Sequence, residues 1–209
     1  MKRNTIDSAA DVLAPAGTSM LGNDLLRGEL VRLDALDRAD VDTFGPWWRD
    51  LELIGNLSQA AAFPFTVEDE LEWFESMRKN KDVFMFAIRR IDTGALIGTT
   101  SLFDVNWRIR KCLFGIAIGD KSAWGQGYGT DATRLAVRYA FLELNLNRVQ
   151  LYVYSFNERA RRAYEKAGFT VEGTLRDAVY RDGRHHDEHV MAVLRRDWEA
   201  ADAHRVSGG

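Results

Sequence analysis

The stretch Trp124-Gly125-Gln126-Gly127-Tyr128-Gly129-Thr130 is the strongest chemical signal in the chain. Glycines at alternate positions give a backbone that turns tightly with no Cβ in the way. A run rich in small and β-branched residues precedes the loop and a long amphipathic pattern follows it. The loop therefore sits where a strand hands over to a helix. Free N–H groups of the first helical turn then converge on one spot, reinforced by the helix dipole, and that spot suits a phosphate or pyrophosphate. The loop is not a Walker A sequence, because no Gly-Lys-Ser/Thr ends it, and it lacks the GxGxxG order of a dinucleotide fingerprint. Other chemistry-bearing residues are sparse. Cys112 is the only cysteine, so no intrachain disulfide forms. With no paired histidine it reads as strand packing rather than as a nucleophile. His185, His186 and His189 suggest zinc, but adjacent histidines on a strand face opposite ways and no fourth ligand presents itself, so no metal is expected.

The elements that position this loop follow from periodicity. Leu30 to Leu33 reads as a first strand, Asp37 to Asp42 as a helix start, and Gly45-Pro46 as a break before Trp47-Trp48. Residues 55–65 read as a loop carrying exposed aromatics. Thr66-x-x-Asp69 caps a helix with Leu71 and Phe74 at helical spacing. Val83 to Ile88, Ala95 to Phe103 and Cys112 to Ile118 form a meander turned at Asp92-Thr93-Gly94 and at Asn106 to Lys111. After the glycine loop a helix runs from about Gly129 to Leu144, with Tyr128, Ala132, Leu135, Ala136, Tyr139 and Leu142 on one face. Val149, Leu151 and Val153 alternate as a strand. Ser155-x-x-Glu158 is a capping box for a helix closed by Gly168. Phe169 to Tyr180, a turn at Asp182-Gly183, and His189 to Leu194 complete a mixed α/β sheet.

The bulk properties bound the answer. At 209 residues with 46% hydrophobic and 28% charged side chains, the chain has the composition of a soluble globular protein. A net charge of −3 argues against a general nucleic-acid binder. No apolar run approaches the roughly 20 residues that span a bilayer. Residues 1–23 show no periodicity and no secretory pattern, and read as a loosely attached arm. A single domain over residues 24–200, a tail over 201–209 and a cytoplasmic location are the expectations.

Three blocks in order resemble the GCN5-related N-acetyltransferase (GNAT) superfamily, in its RimJ/RimL-like branch of ribosomal-protein N-terminal and polyamine acetyltransferases. They are Phe114-Gly115-Ile116-Ala117-Ile118, the loop 124–130 with Asp131-Ala132, and Asn157-Glu158-Arg159-Ala160 leading to Tyr164-Glu165-Lys166-Ala167-Gly168-Phe169. The tail Asp182 to Asp187 also resembles that branch. The resemblance spans about residues 25–198. It implies a GNAT fold, with a mostly antiparallel twisted sheet of about seven strands splayed at the cofactor strand and about four helices around it. It implies acetyl-CoA as co-substrate, gripped at its pyrophosphate by the backbone of residues 124–130. The backbone of Ile116, Ala117 and Ile118 would pair with pantetheine, whose two amides satisfy the peptide groups that a β-bulge releases. Asn157 would meet the pantetheine, and Tyr164 would protonate the leaving thiolate as general acid. The partner implied is an amine: a protein or peptide N-terminus, or else a polyamine, an amino acid or an aminoglycoside. A non-catalytic acyl-CoA sensor is the reading from another class. Look-alikes commonly form homodimers, and no residue here demonstrates one.

Two departures from the family pattern matter. Relatives of the polyamine branch carry a glutamate near the start of the cofactor strand, whereas Lys111-Cys112-Leu113-Phe114 has no carboxylate. Asp104, His186 and Asp187 are weak substitutes for a base, and none is assigned. Family loops often begin with Arg or Gln where this one has Trp124, so the backbone amides are expected to carry most of the phosphate grip. On that reading a bulky residue at Gly127 or Gly129 weakens acetyl-CoA binding far more than Trp124→Ala does.

Overall fold

The computed structural model describes residues 24–57 and 63–207. The arm expected over 1–23 and residues 58–62 of the expected aromatic loop lie outside the described residues. In chain order the elements are β1 (Val31–Asp34), α1 (Val41–Phe44), α2 (Leu51–Gly55), α3 (Val67–Lys79), β2 (Phe84–Arg90), β3 (Leu96–Asn106) and β4 (Lys111–Ile118). Then come α4 (Tyr128–Leu142), β5 (Arg148–Tyr154), α5 (Glu158–Lys166), β6 (Thr170–Arg181), β7 (Arg184–Leu194) and α6 (Arg195–Ser207). Among the described residues the architecture is mixed α/β, with a seven-stranded sheet in the order β1-β2-β3-β4-β5-β7-β6. Four long helices accompany it, together with α1 and α2, which have only four and five residues.

Every neighbouring pair in the sheet is antiparallel except β4 and β5. A parallel pair needs a crossover, and α4 supplies it. The apolar face expected on α4 packs against the sheet, with Ala132, Leu135 and Ala136 in the main core beside Cys112, Phe114, Leu151 and Met191. More of the helix is buried than one face. Val137, Ala140 and Phe141 are fully enclosed, because α6 covers a second side, its Trp198 ring 5.6 Å from that of Phe141. Leu142, expected on the buried face, is only half-buried.

Local chemistry sets the element ends. Thr66 caps α3 as expected, in a reciprocal box with Asp69. The box expected from Ser155 does not form, since the Ser155 N–H donates to the Asp187 carbonyl at 2.9 Å. The cap of α5 is Asn157, whose Oδ1 accepts the Ala160 N–H at 3.2 Å. β7 starts at Arg184 rather than His189, because the hairpin through Asp182 and Gly183 pairs as far as Arg181↔Arg184. Helix α6 runs across the boundary expected at residue 200. No helix among the described residues is long and apolar enough to cross a membrane.

Candidate active site

Strand β4 leaves β5 early. Their pairing covers only Lys111, Cys112 and Leu113, while β4 stays paired with β3 to Ile118. Gly119 donates its N–H to the Ile97 carbonyl at 3.0 Å. Hydrogen-bonded residues alternate along an antiparallel pair. Gly115 and Ala117 therefore turn their peptide groups to β3. Phe114, Ile116 and Ile118 turn theirs to the side that β5 has left. Peptide groups opened in this way need partners, and an extended amide-bearing chain supplies them.

The glycine loop sits beyond the end of this strand. Gly125 and Gly127 have φ of 76° and 90°, backbone that favours residues without Cβ. Gly127 caps α4, and the first intrahelical bond there is Asp131 N–H to the Gly127 carbonyl. The N–H groups of Tyr128, Gly129 and Thr130 thus have no intrahelical acceptor. Asp131 fixes the loop from behind: its Oδ2 accepts the N–H groups of Leu30 and Val31 at 2.7 and 3.0 Å.

Between the loop, the free edge of β4 and α5 lies a cavity of about 260 Å³, lined among others by Ile116, Ile118, Thr130, Asn157 and Tyr164. Trp124, Gly125, Gly127 and Gly129 also line it. Three expected residues stand apart from it. The Ala117 side chain is buried, Gln126 turns its amide to the Ser122 carbonyl at 2.5 Å, and the Tyr128 ring is buried under the Arg90 guanidinium. The Trp124 indole donates to the Ile118 carbonyl at 2.7 Å, and the Arg159 guanidinium stacks 3.6 Å from its ring centroid. Trp124 thus caps the open strand edge and holds a cation at the cavity mouth, a role its residue type does not announce. Arg159, Arg162 and Lys166 all line this cavity, Arg162 while also paired with Glu158; Arg161 pairs with Glu158 and Glu165.

A second cavity of about 570 Å³ opens in the cleft between the splayed strands, lined by Leu113, Tyr152, Tyr154 and Glu188 among others. Ile116, Leu57 and Tyr164 line both cavities. The Tyr164 ring packs edge-on against Phe114 with centroids 6.1 Å apart. Burial pushes its phenol up to about 12, so it stays protonated throughout the neutral range.

The remaining sequence candidates do other work. Cys112 is fully buried, and burial pushes its thiol to about 12, which leaves no thiolate at neutral pH. Asp104 is exposed at a bulge with φ of 51°. Asp187 accepts the Asp177 N–H at 3.0 Å, and the His186 ring packs on Phe156. Outside those candidates, Asp50 and Glu52 at the start of α2 both bind Lys121. Among the described residues no group of His, Cys, Asp and Glu is arranged to hold a metal ion. Glu188 is the carboxylate that sequence reading passed over. It falls in phase with Val190 and Ala192, on the face away from the core side chains of Met191 and Val193, so alternation along the strand does not mark it.

The acetyltransferase (GNAT) domain family model matches residues 31–170. This chain belongs to the GNAT acetyltransferase family. It is 41% identical over 106 residues to the "Putative ribosomal N-acetyltransferase YdaF" of Bacillus subtilis, a match covering 51% of this chain and 57% of that protein. The chain thus spans little more than half the length of that relative. It is 30% identical over 152 residues to the spermidine N(1)-acetyltransferase of Vibrio cholerae, covering 69% of this chain and 87% of the relative. The fold matches a crystal structure of Vibrio cholerae spermidine N-acetyltransferase in complex with CoA and spermine. That match has a TM-score of 0.74 and 24% identity, over 81% of this chain and 98% of the other.

Proposed function

We propose that this GNAT N-acetyltransferase moves an acetyl group from acetyl-CoA directly to a primary amine, with Tyr164 as general acid. The observation that carries the reading is that two cavities meet at one tyrosine. The first cavity, with its glycine loop and cationic rim, takes the CoA pyrophosphate and pantetheine. The open peptide groups of Phe114 and Ile116 accept the pantetheine amides. Asn157 keeps its amide nitrogen for the donor, its oxygen being committed to the cap. The second cavity brings the amine to the far side of the thioester.

The chemistry then runs through this chain's own groups. A β4 peptide N–H facing the open side stabilises the oxyanion as the nitrogen attacks. The C–S bond breaks, and the Tyr164 hydroxyl gives its proton to the departing sulfur. The acylated nitrogen returns a proton to the phenolate, leaving tyrosine, amide and CoA. An acetyl-cysteine route through Cys112 has no thiolate to start it.

For the acceptor, a protein or peptide N-terminus is favoured, because an α-amino group near ~8 needs less help to lose its proton than an alkyl amine near ~10. The relative named a ribosomal acetyltransferase supports this choice. The relative named a spermidine acetyltransferase supports the alternative of a small amine. Free-CoA release measured across N-terminal peptides, polyamines, amino acids and aminoglycosides tests both readings. Release with peptides alone supports the first, and release with free polyamines alone supports the second. Acetyl-CoA binding without release by any amine would refute the catalytic reading in favour of a sensor.

A further inference from the structure

We infer that the acceptor is an α-amine beside a large apolar side chain, and that Tyr152 and Leu175 receive that side chain in the second cavity. The inference rests on the acetyltransfer reading for the fate of the nitrogen, and on the cavity walls for the choice of acceptor. Tyr152 on β5 lies opposite Val190 on β7, and Leu175 on β6 lies opposite Glu188 on β7. Residues two apart on a strand share a face, so Tyr152 and Leu175 stand on one side of the sheet. The other side of these strands, with Leu151, Val153 and Met191, packs into the main core. Tyr152 and Leu175 are 46% and 47% exposed, and both line the cavity together with Phe103, Leu113 and Tyr164.

Hydrogen bonds hold the Tyr152 ring in place. The Gln150 amide donates to its hydroxyl at 2.9 Å. The Arg148 guanidinium donates to the Gln150 side-chain oxygen at 3.0 Å and to Glu172 at 2.8 Å. That chain of bonds engages the hydroxyl and leaves the ring for an apolar contact, and a wall ordered in advance spares a ligand the cost of ordering it. At about 570 Å³ the cavity has the size of a small-molecule site, far more than an amino group alone fills. Glu188, the charged residue among its walls, is buried and already interacts with another group of the protein, so the cavity does not call for a cation. Burial among apolar walls favours the neutral form of an amine, and an α-amino group, near ~8, reaches that form at modest cost. Tyr164 lines both cavities. An acceptor seated on Tyr152 and Leu175 therefore presents its free nitrogen at the wall that the two cavities share.

The test measures CoA release at pH 8 with tripeptides that begin with leucine, glycine or aspartate and end in two glycines, for wild type, Tyr152→Ser and Leu175→Ser. Leucinamide, compared with the leucine peptide, distinguishes a small acceptor from a peptide chain. Wild type should prefer leucine to glycine and to aspartate about 10- to 100-fold in kcat/KM, the worth of burying one large apolar side chain. Each substitution should cut that preference about 3- to 10-fold, while the rate with the glycine peptide changes less than twofold, which shows that the variant is folded. Binding of N-acetyl-leucinamide and of N-acetylglycinamide to the CoA-loaded protein is followed separately by NMR titration. The first should bind more tightly, and the variants should lose the difference. A wild type that uses all three peptides equally, or a preference for leucine that survives both substitutions, would overturn the assignment. If no amine released CoA, the transfer reading would fall. The titration would then decide the pocket alone: tighter leucinamide binding lost in the variants would keep it, and equal binding of the two amides would overturn it.

Discussion

Tyr164→Phe isolates the proton that the leaving sulfur needs. The substitution removes one oxygen and leaves the ring, whose packing against Phe114 and Phe169 at centroid distances of 6.1 Å does not involve the hydroxyl. No protein hydrogen bond to that hydroxyl is made among the described residues, so the variant should keep its melting temperature within about 2 °C. Acetyl-CoA affinity should stay within a few-fold, because the proposed grip lies on the loop and the β4 edge rather than on this hydroxyl. The chemical step should suffer. With its phenol near 12, the tyrosine is a fully protonated donor at any assay pH, and a thiol leaving group near ~8.5 gains much from receiving a proton as it departs. Loss of a positioned general acid costs roughly 10²- to 10⁴-fold, or about 3–5 kcal/mol of barrier. Single-turnover release of CoA, read with a thiol reagent at saturating acetyl-CoA, gives the number directly. The same raised phenol predicts that wild-type kcat shows no falling limb from tyrosine ionisation below about pH 11. A Phe variant with kcat within threefold of wild type would refute the assignment of Tyr164 as the acid.

Five further outcomes follow from individual contacts. Trp124→Ala frees the Ile118 carbonyl and unstacks Arg159, so acetyl-CoA should bind about tenfold more weakly by calorimetry. Gly127→Val, at φ of 90° with Leu30 Cδ1 3.2 Å from the new Cβ, should lose about 1–3 kcal/mol of stability in urea melts. Gly129→Ala, whose Cβ meets only Ile118 Cγ1 at 3.7 Å, should fold and bind normally. Asp131→Ala strips the shared acceptor from Leu30 and Val31 and should cost about 2–3 kcal/mol, seen as a lowered melting temperature. Burial, with Asp69 adding to it, raises Glu70 from 4.5 to about 7. The folded state then binds more protons than the unfolded one between those values. Stability is full below about 4.5 and is lost as pH rises through about 7. Glu70→Gln should therefore flatten that fall and be more stable than wild type at pH 8 by about 1–3 kcal/mol.

The strand and helix order, the meander turns and the anion loop were legible along the chain because each depends on neighbours a few residues apart. Glycines at 125 and 127 announce left-handed backbone, Thr66 announces a cap, and the alternation at Val149, Leu151 and Val153 announces a strand. The short segments α1 and α2 were harder to read, since four or five residues carry too little periodicity to mark a helix. The cap of α5 went to Asn157 because Ser155 was claimed by Asp187, a contact 32 residues away that no local box can foresee. Trp124 reads locally as a missing phosphate ligand, and only the approach of β4 and α5 makes it a clasp on Ile118 and Arg159.

By itself the sequence determined where an anion loop is to be sought, because helix starts and glycine loops are short-range chemistry, and its resemblance to the GNAT family implied where pantetheine and a tyrosine acid are to be sought. Tertiary structure alone decided that the β4 edge opens beyond Leu113, that Tyr164 stands between two cavities, and that Glu188 faces the second. Those facts depend on which strands part and which residues come opposite one another across the sheet. Such pairings join positions as far apart as Gln150 and Ala192, and the closing of those long loops is settled by the packing of the whole core rather than by any one stretch of chain.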